Sequence, residues 1–540
     1  MNSTLMRYYE RIILQKPQAA LLFVAILFVF FGTQVPNFKL DASAESLVLE
    51  DDEPLQYYRV ITKRYGSNDF LVITFTPFDD LLSDSSLASL KSLSDELTQI
   101  ERVESIVDIL DVPLLNSPKI KISQLGKNVR TLETPGIDKE LARKEFMESP
   151  IYRNRLVSLD GKTTALQVNF KRDDKYFALL DERNRLKEKK ESGVVLTTAE
   201  ETRLAEVSRE FKAYHDFTLE RQSRDIEKVR EIMDRYRDKA SMFLGGAPMI
   251  ISDMIDFIAY DLEVFGFGVV CFLILVLYLF FRTPRWVVLP MACCLITAVV
   301  MVGYLGFVGW RITVISSNFI SILLILTMSL TIHLIVRFGD LCAQKPNADQ
   351  KTLVLETVRL MIQPCFYTAV TTVVAFSSLV ISGIRPVIDF GWIMTIGVIL
   401  AFALNFIFFP SALMLLKKEP ACSDRDFTKS LTMSIAAFTK KYSAKILFFC
   451  LGLAIASVVG ISKLEVENRF IDNFKSTTEI YRGMEVIDTK LGGTTPLDIV
   501  IDPDEDFYAR LKELKESSMD FEDPFAEALG AGNQANEENY

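Results

Sequence analysis

The sequence is poor in the residues that most sites of chemistry require. Only two histidines, His215 and His333, occur in 540 residues, and no Cys/His spacing matches a zinc site. None of the seven cysteines falls between positions 37 and 255, so no disulfide framework is available there. No glycine-rich G-x-x-x-x-G-K-[ST] loop for ATP and no pairing of nucleophile with base is visible. The sequence therefore predicts neither an enzyme nor a cofactor.

Charged residues make up 24% of the chain but are missing from long stretches between 256 and 462. A helix of about 20 apolar residues crosses the ~30 Å hydrocarbon core and satisfies its own backbone hydrogen bonds there. Seven segments are long enough, which predicts an α-helical polytopic membrane protein: 17–36, 262–281, 286–308, 312–336, 365–384, 387–416 and 443–462. The first could be a cleaved signal peptide, but no small-residue cleavage site follows it directly, which favours an uncleaved anchor.

Basic residues in the short loops indicate the orientation. If the N-terminus (1–16) is cytoplasmic, most loop Lys and Arg lie on its side, many of them in the 417–442 loop. The opposite short loops hold only Arg311 and Arg385. The positive-inside rule then puts 37–255 and 463–540 outside the cytoplasm. The net charge of −10 lies largely in these external parts, which argues against nucleic acid as a partner.

The external 37–255 segment has the pattern of an α/β domain. Strand patterns at 70–77, 103–110 and 163–170 and an amphipathic helix at 85–100 predict a split βαβ sheet with helices on one face. Residues 172–240 combine dense charge with apolar residues at helical spacing, which predicts a projecting helical hairpin. A coiled-coil partner site is the less favoured alternative. Thr198 and Glu201 form a predicted capping box for the second arm.

An internal repeat relates the two ends of the chain. A constant shift of 426 aligns six residues with identical ones, without a gap: Val60, Ile61, Gly66, Leu71, Ile73 and Pro77. The same shift carries the first membrane segment onto the seventh, so the chain is predicted to be internally duplicated. Residues 463–540 would then begin a second external domain, with an acidic tail whose composition favours disorder. We expect a fragment or truncated product of a longer, duplicated protein.

Polar side chains within the membrane are costly and are therefore candidate functional residues. The fourth segment is the richest, and its candidates for coupling are Asn318, Thr327, Ser329, Thr331 and His333. Ser and Thr can also bond back to a carbonyl of their own helix and serve only packing. A histidine can titrate near neutral pH, but at a helix end it is often only an interfacial hydrogen-bonding group.

Three glycines lie three residues apart in the third segment: Gly303, Gly306 and Gly309. This spacing favours close helix packing over a cofactor site, because glycine lets two helix backbones approach each other.

Two runs of membrane sequence carry a family resemblance. The first extends from Trp310 to Phe338, and the second from Thr371 to Gly391. They resemble the fourth helix and the fifth-to-sixth helix signature of the MmpL-like, hydrophobe-exporting branch of the resistance-nodulation-division (RND) superfamily. The signature positions are Thr371, Thr372, Ser378, Pro386, Asp389 and Gly391. The similarity covers essentially 15–503, and helices two to six (256–416) are also similar to the sterol-sensing domain of Patched-like proteins.

The resemblance implies an exporter of lipids or other hydrophobic compounds in a bacterial inner membrane, driven by proton flux in the full-length protein. Hopanoid and mycolate-lipid exporters are among the related proteins, and the external domain would be porter-like. The implied partners are membrane lipids, a hydrophobic substrate, and either further copies of the chain (a dimer or trimer) or a periplasmic accessory protein.

One departure from the family pattern concerns coupling. Many relatives carry an Asp-Tyr pair as a proton relay, where this chain has Ser329 and Leu330. A hydroxyl cannot carry charge as a carboxylate does. Three interpretations remain: His333 substitutes, coupling resides in a missing half, or the protein is not proton-driven. The alternative function is a lipid- or sterol-sensing or scaffolding membrane protein that does not transport.

Overall fold

The computed structural model describes residues 7–41, 57, 61, 69–116, 130–191, 193–416, 427–464 and 470–494. The chain forms two compact units, one of Met1–Gly66 with Ile251–Glu467 and one of Ser67–Ile250 with Asn468–Tyr540. We call the first the membrane unit and the second the sheet unit.

The regular elements follow in chain order. The α-helices are α1 (Pro17–Gly32), α2 (Asp84–Thr98), α3 (Lys139–Glu148), α4 (Asp174–Glu191), α5 (Thr198–Asp234), α6 (Ala247–Phe281), α7 (Arg285–Val308), α8 (Phe319–Gln344), α9 (Gln350–Ser378), α10 (Arg385–Leu415), α11 (Phe427–Ile461) and α12 (Glu479–Lys490). The strands are β1 (Phe70–Pro77), β2 (Val103–Val107), β3 (Thr164–Phe170) and β4 (Ala240–Gly245).

The sheet unit is built on one four-stranded antiparallel sheet in the order β2-β3-β1-β4. Helix α2 connects β1 to β2, and α5 lies between β3 and β4, which is the topology of a split βαβ fold. Strand β1 buries Leu71, Ile73 and Phe75 on one face, because successive side chains of a strand point to opposite sides. They share a core with Leu93 of α2 and Val229 of α5. The predicted fold class is confirmed.

Helices α4 and α5 form a hairpin, and Arg203 of α5 makes a bidentate pair with Glu182 of α4 at 2.8 Å. The predicted capping box is wrong by one residue. Thr197, not Thr198, has the extended backbone of an N-cap, and its side chain exchanges hydrogen bonds with Glu200. Helix α5 has 37 residues, and its last turns belong to the core of the sheet unit. The second arm of the hairpin and the second βαβ helix are therefore one continuous helix.

A segment distant in sequence completes the sheet unit. Helix α12 packs against β4, with Ile480 and Met484 in the core. Gly483 lies so close to β4 that a Cβ there would meet the Leu244 carbonyl oxygen at 2.7 Å. Glu479 pairs with Arg230 of α5 at 3.1 Å, and Lys490 pairs with Asp160 at 2.7 Å.

The membrane unit contains the seven predicted spans. Among the described residues, seven helical segments are long and apolar enough to cross a membrane: Pro17–Asn37, Ala247–Phe281, Arg285–Val308, Ser316–Gln344, Gln350–Ile381, Arg385–Leu415 and Thr432–Ile461. Each overlaps a predicted segment. Within the connection predicted at 417–442, the chain is already helical from Phe427.

The glycine spacing in α7 has the expected consequence at two of its three positions. A Cβ at Gly303 would collide with the backbone of Phe31, and one at Gly306 with the carbonyl oxygen of Gln34. The first membrane helix therefore rests directly on the backbone of α7. Gly309 has a different role, because it ends α7 in the left-handed conformation with φ 69°.

A helix break recurs at the spacing of the internal repeat. The backbone leaves helical geometry at Lys16 (φ −129°, ψ 59°), directly before α1. It does so again at Tyr442 (φ −116°, ψ 22°), inside α11. The shift of 426 superposes these two positions. Of the six identical pairs, those that include Val60, Gly66 or the 497–503 stretch lie outside the described residues.

Candidate intramembrane site

Helix α8 carries the predicted coupling residues on two opposite faces. Thr327 and Thr331 are fully buried, whereas Ser329 and His333 are exposed. Positions two residues apart on a helix differ by about 200° in direction, so the two pairs point to opposite sides. The structure therefore divides the predicted residues into a buried pair and an exposed pair.

The buried pair meets a residue that sequence reasoning missed. Asn405 of α10 is 1% exposed, and its Nδ2 donates to the Thr327 carbonyl oxygen at 3.0 Å. The Thr331 hydroxyl lies 2.9 Å from Asn405 Oδ1 and 2.8 Å from the Thr327 carbonyl oxygen, and it can donate to either. Asn405 thus links α10 to α8 through both backbone and side chain. A lone carboxamide in the long apolar stretch of the sixth segment was the signal available in the sequence.

Helix α7 adds further polar groups to this interior. The Thr331 hydroxyl also interacts with the buried Cys293. One turn further along the same helix, Thr297 is 1% exposed, and its hydroxyl has no hydrogen-bond partner among the described residues. We call Cys293, Thr297, Thr327, Thr331 and Asn405 the buried polar cluster. Its groups are neutral, so they can orient helices α7, α8 and α10 and bind polar atoms, but the cluster contains no carboxylate or imidazole to carry a proton.

The exposed face of α8 carries the imidazole of His333. Ser329 and His333 lie one turn apart on it, flanked by Ile325 at 53% and Val336 at 50% exposure. In α8 the only carboxylate is Asp340, which lies 3.9 Å from Arg337. Asn318 is also exposed, but it lies outside the helix proper, in the 3₁₀ turn before α8.

The hydroxyl-bearing signature positions are tied to their own helix. Thr371 and Thr372 both donate to the Thr368 carbonyl oxygen, and Ser378 donates to that of Ala375. This is the ordinary way in which a membrane helix satisfies a hydroxyl. Their neighbour Ser377 reaches further, since its hydroxyl lies 3.2 Å from that of Thr395 in α10.

The remaining signature positions shape the join between α9 and α10. Pro386 is buried in the first turn of α10, where its missing N–H costs nothing. A Cβ at Gly391 would meet the Phe376 carbonyl oxygen at 2.7 Å, so this glycine lets the two helices touch. Asp389 lies 3.8 Å from Arg385 and is hydrogen-bonded by Trp310. These three positions therefore contribute to packing and to the polar end of the bundle.

Comparison with protein families places these observations in context. Residues 213–442 match the MMPL family, a range that begins within α5 and ends at the helix break of Tyr442. All of the coupling candidates and signature positions fall inside this range. Comparison with curated proteins returns no match. Members of the MMPL family are transporters rather than enzymes. The resemblance stated from the sequence is confirmed over residues 213–442, which are similar to MMPL-type, RND-like membrane proteins.

Proposed function

We propose that the protein exports lipids or other hydrophobic compounds from a bacterial inner membrane, with its N-terminus in the cytoplasm and its sheet unit outside. The observation that carries this proposal is the MMPL match, which spans five consecutive membrane helices. A split βαβ sheet unit, like the porter-type domains that the resemblance implies, supports the same assignment.

Proton flux drives the proposed export, and His333 is the proposed proton carrier. The buried polar cluster occupies the buried side of α8, where Asn405 bonds to Thr327. At the position where many relatives carry the aspartate of the proton relay, this chain has Ser329 instead of a carboxylate. The exposed side carries His333, and histidine is the side chain best suited to bind and release a proton near neutral pH. Ser329, one turn away, can accept or donate a hydrogen bond to the imidazole or to a water between them.

The test uses the full chain reconstituted in liposomes with an imposed pH gradient. The probe is an NBD-labelled phospholipid, whose movement between leaflets is followed by dithionite quenching. A pH-sensitive dye records proton flux in parallel. We expect lipid movement that requires the gradient. His333→Gln should lose the gradient dependence, whereas Thr371→Ala should not, because the Thr371 hydroxyl is bonded only within its own helix.

Two results would contradict the proposal in different ways. Lipid movement that ignores the gradient would remove proton coupling but keep transport. Lipid binding without any movement would favour the sensing or scaffolding alternative, which the serine at the relay position also favours. A normal gradient response in His333→Gln would overturn the role of that histidine alone.

A further inference from the structure

We propose that the interior of the membrane unit binds one water molecule, which the Thr297 hydroxyl shares with Thr327 and Asn405. This inference concerns the buried side of α8 and does not depend on the transport activity. It rests on a buried hydroxyl that has no partner among the described residues and on the groups that surround it.

Thr297 of α7 differs from other buried threonines of the helix bundle. Thr327, Thr331 and Thr357 each donate to the carbonyl oxygen four residues earlier, at 2.7–2.8 Å. Thr297 is only 1% exposed, yet its hydroxyl makes no such bond within the described part of the chain. A buried hydroxyl that is left unpaired is destabilising, and a side chain so deeply buried cannot reach a partner outside the unit.

Contacts one turn to either side of Thr297 show which part of α8 it faces. On one side, Cys293 interacts with Thr331. On the other side, Met301 packs in the same buried cluster as Leu323. Helices α7 and α8 therefore run in opposite directions here, and the Thr297 hydroxyl faces the turn of α8 midway between these two contacts.

That turn of α8 is centred on Thr327, which is fully buried. Helix α10 runs alongside α8, because a Cβ at Gly397 would meet Leu323 at 3.2 Å and Asn405 bonds to Thr327 two turns further on. Ala401 lies midway between these positions of α10 and is also fully buried. The layer that contains the α7 hydroxyl is therefore formed by small side chains of all three helices.

The groups around this layer can form further hydrogen bonds. The Asn405 side-chain nitrogen has two N–H donors, and the described residues use only one of them, through the Thr327 carbonyl oxygen. The Thr327 hydroxyl donates to the Leu323 carbonyl oxygen and can still accept a bond. The Thr297 hydroxyl can donate and accept. A buried water makes about three hydrogen bonds, which these three groups can supply.

Water is the occupant that the chemistry of this layer selects. Its side chains are neutral, and a cation buried without a counter-charge is strongly destabilising. A water molecule carries no charge, and bonds through it are nearly as favourable as direct ones. The bound water would therefore join α7 to α8 and α10.

Hydroxyl-radical footprinting by X-rays and mass spectrometry tests the proposal on the full chain in lipid nanodiscs. X-rays convert a bound water into a radical that oxidises adjacent side chains, above all sulfur. Cys293 and Cys294 are a matched pair, because both are buried but the Cys294 thiol points to the Leu324 carbonyl oxygen, at 3.6 Å. We expect Cys293 to be oxidised several-fold faster than Cys294, and equal rates would overturn the proposal.

Thr297→Val keeps the shape of the side chain and removes only the hydroxyl. It should equalise the oxidation of Cys293 and Cys294, and it should lower the thermal midpoint in detergent because the water and its bonds are lost. Thr357→Val is the matched control, since the Thr357 hydroxyl is bonded only within its own helix. It should leave the difference between the two cysteines unchanged.

Two other results would contradict the proposal. A midpoint that stays the same or rises in Thr297→Val would mean that the hydroxyl binds no water, because a methyl group of the same shape then loses no hydrogen bond. A wild-type midpoint that rises with sodium chloride but not with choline chloride, and no longer does so in Thr297→Val, would mean that the layer binds a cation.

Discussion

Asn405 shows how one side chain can fix the relation between two membrane helices. It uses its amide nitrogen and its oxygen on two different atoms of α8, so it specifies both the height and the rotation of that helix. Threonines of α8 are cheap within their own helix, but an asparagine needs partners from outside it.

We predict that Asn405→Leu lowers stability in detergent by about 0.5–2 kcal/mol, the range measured for hydrogen bonds between membrane helices. Thermal unfolding of Asn405→Leu, Thr331→Val and the double variant measures the coupling between them. Ser411→Ala is the control on the same helix, because the Ser411 hydroxyl bonds only to the Ile407 carbonyl oxygen. Additive effects of Asn405→Leu and Thr331→Val would contradict the direct bond.

Single residues also mark the limit of sequence reasoning in this chain. Thr327 and Ser329 are both small hydroxyl residues in one apolar run, and their composition cannot say which of them faces the bundle. That division depends on which neighbours cover α8, which is tertiary information. Asn405, by contrast, was visible as an isolated amide, but its partners were not.

At the scale of elements, sequence patterns performed best where the physics is local. Seven spans and the strand–helix–strand order follow from apolar length and from period-two alternation. Boundaries were weaker: the second arm of the predicted hairpin, α5, ends in the core of the sheet unit, so that one helix serves both the hairpin and the sheet. The capping box was predicted one residue too late, because Thr197 and Thr198 are successive threonines and each is followed three residues later by a glutamate.

This correction can be tested by two neighbouring substitutions. Thr197→Ala should destabilise the hairpin by about 0.5–2 kcal/mol, because it removes the side chain that caps the first turn. Thr198→Ala should change stability by no more than a few tenths, since that residue is already helical. Hydrogen exchange over the start of α5 measures both, and a larger effect of Thr198→Ala would restore the original assignment.

Helix packing in the membrane unit depends on backbone contact between α1 and α7. Gly303→Ala should lower the unfolding free energy by about 1–3 kcal/mol, because the added methyl group meets the backbone of Phe31 rather than a movable side chain. Gly452→Ala in α11 is the matched control, since nothing lies within 4 Å of its added Cβ. Thermal stability of the two variants in detergent gives the comparison, and equal midpoints would show that α1 can shift at little cost.

At the scale of the whole molecule, α12 makes the sheet unit discontinuous in sequence. We predict that Gly483→Val releases α12, because the close approach to the Leu244 carbonyl oxygen leaves no room for a side chain. Hydrogen exchange should then rise in α12 and in β4 together. Thr489→Ala, on the exposed side of α12, should leave both unchanged, and a rise confined to α12 would show that β4 does not need this cover.

Titration at acid pH also tests whether α12 docks on the rest of the sheet unit. The hydrogen bond from Lys490 lowers the pKa of Asp160 to about 2. A carboxyl group whose pKa is lower in the folded chain than in the unfolded chain stabilises the fold at pH values above its unfolded pKa, about 3.9. This stabilisation is lost as the pH falls towards 2. The pair is partly exposed, so solvent screening keeps its contribution small. Lys490→Met should raise the pKa of Asp160, measured by NMR titration, and an unchanged value would show that the pair does not form in solution.

The position of α12 also orders events during synthesis. Strand β4 leaves the ribosome roughly 230 residues before α12, and at ~5–20 residues per second this interval lasts about 10–50 s. Throughout it, six membrane helices must be inserted while the face of the sheet that α12 will cover stays open. The nascent sheet unit therefore stays incomplete until a distant part of its own chain has been made. During that interval its uncovered face is accessible to chaperones and proteases.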